Sequence, residues 1–124
     1  MKTQTVWKIL HKHSKKLFSA SGIPTERKVR STIRYFTNRV NKPRKDQHQF
    51  LFCFESLSAA RNLLDRIKVN RPYEYNHFTI YEAEATDVST TATLNLSYRI
   101  EISNRTFDMG TLFAKSLKLT KRIK

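Results

Sequence analysis

His11-Lys12-His13 is the first place in this chain where residue types and spacing could do chemistry. On a strand, residues two apart share a face, so the two imidazoles would stand together beside an ammonium. One imidazole as base, the other as acid, and a lysine clamping phosphate is a set that could cleave RNA. His48 and His77 would extend that set only where the fold brings them near. In a basic turn, the pair reads better as solvated histidines adding to a phosphate-binding surface. A metal site would want a carboxylate or third histidine at a defined spacing, and none is near in the sequence.

Glu82-Ala83-Glu84 would place two carboxylates on one face of an expected strand. The pair resembles the Glu-x-Glu of the ADP-ribosyltransferases, and Ser19-Ala20-Ser21 is similar to a degenerate form of their Ser-Thr-Ser element. That resemblance implies an NAD-using transferase. The first strand lacks an arginine placed to grip NAD, and two solvated glutamates at a strand edge account for the pair more simply. With Gly22 and Gly110 as the only glycines, a phosphate-cradling loop or dinucleotide turn is excluded. No nucleophile elbow is present either. Cys53 is the only cysteine, which removes an intramolecular disulfide and a cysteine-type zinc cluster. Within Phe50–Phe54 it reads as a small buried hydrophobe. No cofactor is expected.

Charge is the strongest signal. The 124 residues carry 24 Lys and Arg against 10 Asp and Glu, a net charge of +14. Residues 1–45 hold 13 Lys or Arg and one acid, residues 46–114 hold six and nine, and residues 115–124 hold five and none. Segregation of this kind means self-repulsion unless a polyanion neutralises it. The N-terminal cations expected at a phosphate surface are Lys12, Lys15, Lys16, Arg27, Lys28, Arg30, Arg34, Lys42, Arg44 and Lys45. Lys118, Lys121, Arg122 and Lys124 make a second cluster. Lys8 and Arg39 belong to the same basic stretch, and Trp7, Phe18, Tyr35 and Phe36 lie among these cations, where an exposed ring can stack on a base. No RNP1 sequence, GXXG loop or Cys/His finger spacing occurs, so the footprint is electrostatic and carries no sequence specificity.

Several elements must position these residues. Thr5–Leu10 reads as a strand by its β-branched and aromatic content. His11–Lys16 is a basic turn, and Leu17–Ala20 a short returning strand. Val29, Ile33, Phe36 and Val40 are spaced as a helical stripe, although the β-branched and aromatic composition (Thr32, Ile33, Tyr35, Phe36, Thr37, Val40) suits a strand equally well, and residues 41–47 form a charged loop. Phe50–Phe54 is a continuous apolar run, expected as a central strand buried on both faces. Ser56 is placed to cap a helix whose apolar residues are Leu57, Ala60, Leu63, Leu64 and Ile67, closing near Asn70. Phe78–Ala85 is a further strand. Leu94, Leu96, Tyr98, Ile100 and Ile102 alternate strictly with polar residues, as in one half-exposed antiparallel strand. In the tail, Leu112, Phe113 and Ser116 fit a helix, while Leu117, Leu119 and Ile123 alternate like a strand.

Assembled, these elements predict one α+β domain over residues 1–124, a mostly antiparallel sheet of four or five strands with one or two helices on one face. No apolar run reaches the roughly 18–20 residues of a membrane span, and the N-terminus lacks an apolar signal segment, so a reducing cytoplasmic setting is expected. The expected function is non-enzymatic binding of the RNA or DNA backbone, within a nucleoprotein assembly. The alternatives are a small viral-type inhibitor or interaction module that covers an acidic protein surface, and a small nuclease or transferase using His11, His13, Glu82 or Glu84.

Overall fold

The computed structural model describes residues 2–19, 34–43, 50–73, 75–95 and 99–124. In chain order the elements are β1 (Thr3–His13), β2 (Lys16–Ser19), β3 (Arg34–Tyr35), β4 (Leu51–Phe54), α1 (Leu57–Asn70), β5 (Phe78–Thr86), β6 (Thr91–Asn95), β7 (Arg99–Ser103), β8 (Thr111–Ala114) and β9 (Ser116–Arg122). This is a small, mostly antiparallel sheet domain with one α-helix among the described residues. It has more strands than the four or five expected, because segments read as helix or as one strand supply additional short ones. No helix among the described residues is long and apolar enough to cross a membrane.

β1 organises the sheet. One edge pairs with β5 from Thr3↔Thr86 to His11↔Phe78. Its other edge is shared: Trp7 pairs with Phe54 of β4, and Leu10–His13 pair with β2. β5 carries β9 on its far side, β4 carries β8, and β2 carries β3. Reciprocal backbone bonds between Asn41 and Leu117, at 2.8 and 2.9 Å, tie the chain beyond β3 to the free edge of β9. The sheet therefore curls around an interior of small and medium side chains, among them Val6, Leu10, Cys53, Ala83, Leu117 and Leu119. On its opposite face Ile9, Phe54, Phe78 and Ile80 pack under Ala60 and Leu64 of α1.

The helix forms where its apolar spacing and cap put it. The Ser56 side chain accepts from the Ala59 N–H at 3.1 Å, satisfying one of the amides left open at a helix start. At the far end the Arg71 N–H reaches the Ile67 carbonyl at 2.7 Å. Strand β4 is central, as expected, lying between β1 and β8, although Phe52 is only half-buried.

Three expectations are overturned. The Val29–Val40 stripe is not a helix where it is described. Arg34–Tyr35 is a strand, and a turn follows in which Asn41 accepts from the Phe36 N–H at 2.8 Å and donates to the Phe36 carbonyl at 3.0 Å. Residues 29–33 lie outside the described residues. The alternating run from Leu94 to Ile102 is not one strand: Leu94 lies in β6 and Ile100 and Ile102 in the antiparallel β7, with Leu94 opposite Ile100, and residues 96–98 lie outside the described residues. The helical option for Leu112–Ser116 fails as well, since Thr111–Ala114 is strand β8, wholly buried against β4.

Gly110 shows how closely the loop before β8 approaches the helix. Its φ is +85°, and a Cβ placed there would lie 2.7 Å from the Ala59 methyl. Its carbonyl accepts from the Glu55 N–H at 2.8 Å. Gly110→Ala should therefore lose roughly 2 kcal/mol or more, combining backbone strain with displacement of a rigid helix methyl. Urea unfolding measures it, and a loss below about 0.5 kcal/mol would mean that the approach is looser than drawn.

Candidate functional site

The nine described cations among the expected site residues divide by strand register. The β1–β2 hairpin carries Lys12, Lys15 and Lys16, all exposed, with His13 opposite Lys16. Arg34 lies one strand further out, opposite Phe18. From the other side, Arg122 pairs with Tyr81, and the Lys124 carbonyl accepts from the Thr79 hydroxyl. Thr79 and Tyr81 are themselves paired with Leu10 and Lys8 of β1. The register thus brings Lys12, Lys15, Lys16, Arg34, Arg122 and Lys124 to one end of the sheet, although they come from opposite ends of the sequence.

Lys42, Lys118 and Lys121 are not part of that group. Lys118 stands opposite Glu84 and Lys121 opposite Glu82, and Lys42 follows Asn41, which is bound to Leu117. Cross-strand pairs of opposite charge attract, so the Glu82/Glu84 pair offsets two of the tail lysines. That register also corrects the reading of Glu82 and Glu84 as a strand edge. β5 is flanked by β1 and β9, and Glu82 is half-buried. Arg27, Lys28, Arg30, Arg44, Lys45 and His48, with Ala20 and Ser21 of the serine element, lie outside the described residues.

The hairpin turn itself is strained. Ser14 and Lys15 have φ of +50° and +65°, the left-handed conformation that a two-residue hairpin loop demands and that glycine or asparagine adopts most easily. Each costs about 1 kcal/mol relative to a relaxed residue.

Aromatic residues around the cations differ from the expected set. Phe18 and Tyr35 are buried, so neither can stack on a ligand. Phe36 is half-buried between two guanidinium groups, Arg34 at 4.5 Å and Arg39 at 3.7 Å from its ring centre. Tyr75 lies under Lys124 at 3.7 Å and Lys68 at 5.4 Å. Tyr75 and Lys68 carry no sequence pattern that would single them out; the chain reversal after α1 brings them beside the tail.

The histidines are not arranged as the triplet suggests. His11 is buried with its ring edge-on to Phe78 at 4.9 Å, while His13 is exposed at the hairpin. The imidazole that approaches His11 is that of His77, 5.8 Å between ring centres. Among the described residues no group of three or more His, Cys, Asp or Glu could hold a metal ion.

Lys8 is the largest departure. It belongs to the basic stretch by sequence, yet it is only 3% exposed. Its ammonium donates to the Phe52 carbonyl at 2.7 Å and lies 5.2 Å from the centre of the Tyr35 ring. Beyond the Trp7–Phe54 pair, β1 and β4 part because β2 takes the edge of β1 from Leu10 onward. The ammonium fills this fork and satisfies a carbonyl that would otherwise face no strand. Burial holds its pKa down to about 8, and pushes the neighbouring Cys53 thiol up to about 12. On the helix side of the fork lies a cavity of about 470 Å³.

No protein-family model, curated protein or solved structure matches the chain.

Proposed function

We propose that this protein is a non-enzymatic binder of nucleic acid, gripping the phosphate backbone of RNA or DNA through the basic end of its sheet. The observation that carries this reading is the meeting of the two charged ends of the sequence. Lys12, Lys15, Lys16 and Arg34 share one end of the sheet with Arg122 and Lys124. Exposed cations toward one end of a sheet can neutralise phosphates and release their counterions, which is a large favourable term at low salt. Lys15 supports the same reading: a cation occupies a left-handed position that glycine would hold without strain, and strain of that kind collects at functional sites. Phe36, held between Arg34 and Arg39, offers a partly exposed ring beside the cations. Recognition is of charge and backbone; the hydrogen-bonding edges that read sequence have no matching signature here.

Titration of a labelled duplex at several salt concentrations tests it. Six phosphate contacts give a slope near −5 in log affinity against log salt, so affinity should fall about a thousandfold between 50 and 200 mM. Lys15→Gly should weaken binding, reduce that slope by about one, and raise stability by a few tenths of a kcal/mol, separating the two roles. A slope near zero overturns the proposal. Retention of one protein partner after nuclease treatment would instead favour an acidic protein surface as the target.

A further inference from the structure

The cavity beside the β1–β4 fork is independent of the basic end, and its walls have a definite chemistry. Four phenylalanines, Phe52, Phe54, Phe78 and Phe107, line it. Its roof is the second half of α1, where Leu63 and Ile67 stay half-buried, although they continue the apolar stripe that Ala60 and Leu64 bury fully. They remain so because the sheet opens beneath them, where β4 leaves β1. Three contacts hold the helix off the gap: the Gly110–Ala59 approach, the Glu55–Gly110 hydrogen bond, and an Arg66–Asp108 ion pair from helix to loop. The space is therefore preformed, and about 470 Å³ lies in the range of small-molecule sites.

Its charged lining is unbalanced. Among the described residues, Lys8, Arg66 and Arg71 line it with one carboxylate, Asp108, which is engaged by Arg66. The end of α1 is closed by the Arg71 backbone N–H, so the Arg71 guanidinium is not required for that purpose. We propose that this cavity binds a small apolar anion, its ring or chain body among the phenylalanines and its carboxylate or sulfonate at Arg71. An apolar body with one anionic group matches a mostly apolar site carrying a few placed polar groups. A neutral ligand would make no use of the Arg71 guanidinium, and a highly charged one would strand charge against the aromatic walls.

The test uses 8-anilinonaphthalene-1-sulfonate and N-phenyl-1-naphthylamine, the same rings without the sulfonate, followed by fluorescence on the full chain. The sulfonate dye should saturate one site, be displaced by decanoate, and bind about tenfold more tightly than the neutral amine. Leu63→Trp, which fills the cavity, should weaken it at least tenfold. Asn70→Trp, an exposed position at the mouth, should do the same without threatening the fold. Arg71→Glu should weaken the sulfonate dye about tenfold and leave the amine unchanged. A Lys12→Glu, Lys16→Glu double variant should lower duplex affinity but not dye affinity, so failure of either proposal is told apart from failure of the other. Unsaturable fluorescence, equal affinity for the neutral amine, or full dye binding by a cooperatively unfolding Asn70→Trp would each overturn the assignment.

Discussion

Replacing Phe113 with alanine should destabilise the protein by about 3–5 kcal/mol, the largest loss expected from any single substitution here. Phe113 is 2% exposed, at the centre of an aromatic cluster. Its ring lies 5.0 Å from Phe50, 5.5 Å from Phe52 and 5.8 Å from Phe107. Its backbone exchanges hydrogen bonds with Ser89 at 2.8 and 2.9 Å, which hold β8 against the turn leading into β6. Those backbone bonds survive truncation, so the loss comes from ring contacts and the cavity left behind. A domain of this size has on the order of 5–15 kcal/mol in total, so the variant should unfold at markedly lower urea. Phe113→Leu, which keeps most of the volume, should lose closer to 1 kcal/mol. A loss below about 1 kcal/mol for the alanine variant would mean that the cluster collapses to refill the space.

Lys8→Met should invert the pH dependence of relative stability. Burial lowers the Lys8 pKa from 10.5 to about 8. Below pH 8 the lysine is protonated in both folded and unfolded chains, and the folded state bears the full cost of a buried charge, roughly 3 kcal/mol. Between pH 8 and about 10.5 the unfolded chain keeps the proton that the folded chain has released, so stability rises with pH. Cys53 acts in the opposite sense. Its thiol is raised from 9.0 to about 12, so the unfolded chain ionises first and stability falls from pH 9 upward. The two slopes nearly cancel between pH 9 and 10.5, so their sum gives a plateau of maximal stability across that range.

Comparing Lys8→Met with the parent chain at each pH largely cancels the Cys53 contribution. The methionine removes the buried charge but leaves the Phe52 carbonyl without its donor, which costs about 1–3 kcal/mol. At pH 7 the variant should be more stable by roughly 1 kcal/mol, and at pH 10 less stable by a similar amount. Urea titrations at the two values decide it; a difference of the same sign and size at both would show that Lys8 keeps an ordinary pKa.

The elements that were legible in the sequence are those whose own residues complete the local requirement. Ser56 and the Leu57–Ile67 spacing specify a capped helix with no help from elsewhere, and α1 begins and ends where they indicate. Phe78–Thr86 and the Phe50–Phe54 run were legible for the same reason, since β-rich apolar segments of strand length have few other ways to bury themselves. The run from Leu94 to Ile102 was misread for a geometric reason. In the β6–β7 register, Ala92 faces Ile102 and Leu94 faces Ile100, so even-numbered residues meet even-numbered residues. A reversal in that register keeps the alternation in phase, and the hairpin is invisible to a period-two pattern.

Net charge, its segregation to residues 1–45 and 115–124, and the lack of loop and cysteine chemistry are properties of composition, and the sequence alone determines them. Which charges act together is decided by tertiary structure. Lys8 and Lys12 are four residues apart and alike in sequence, yet one is sealed into the fork between β1 and β4 and the other stands at the open hairpin. Lys118 and Lys124 share one tail, but register sets Lys118 across from Glu84 and carries Lys124 to the basic end. His11 and His13 likewise part, and His77 replaces His13 as the near imidazole. Strand pairing between residues tens of positions apart makes these choices, and a chain read one window at a time holds no record of it.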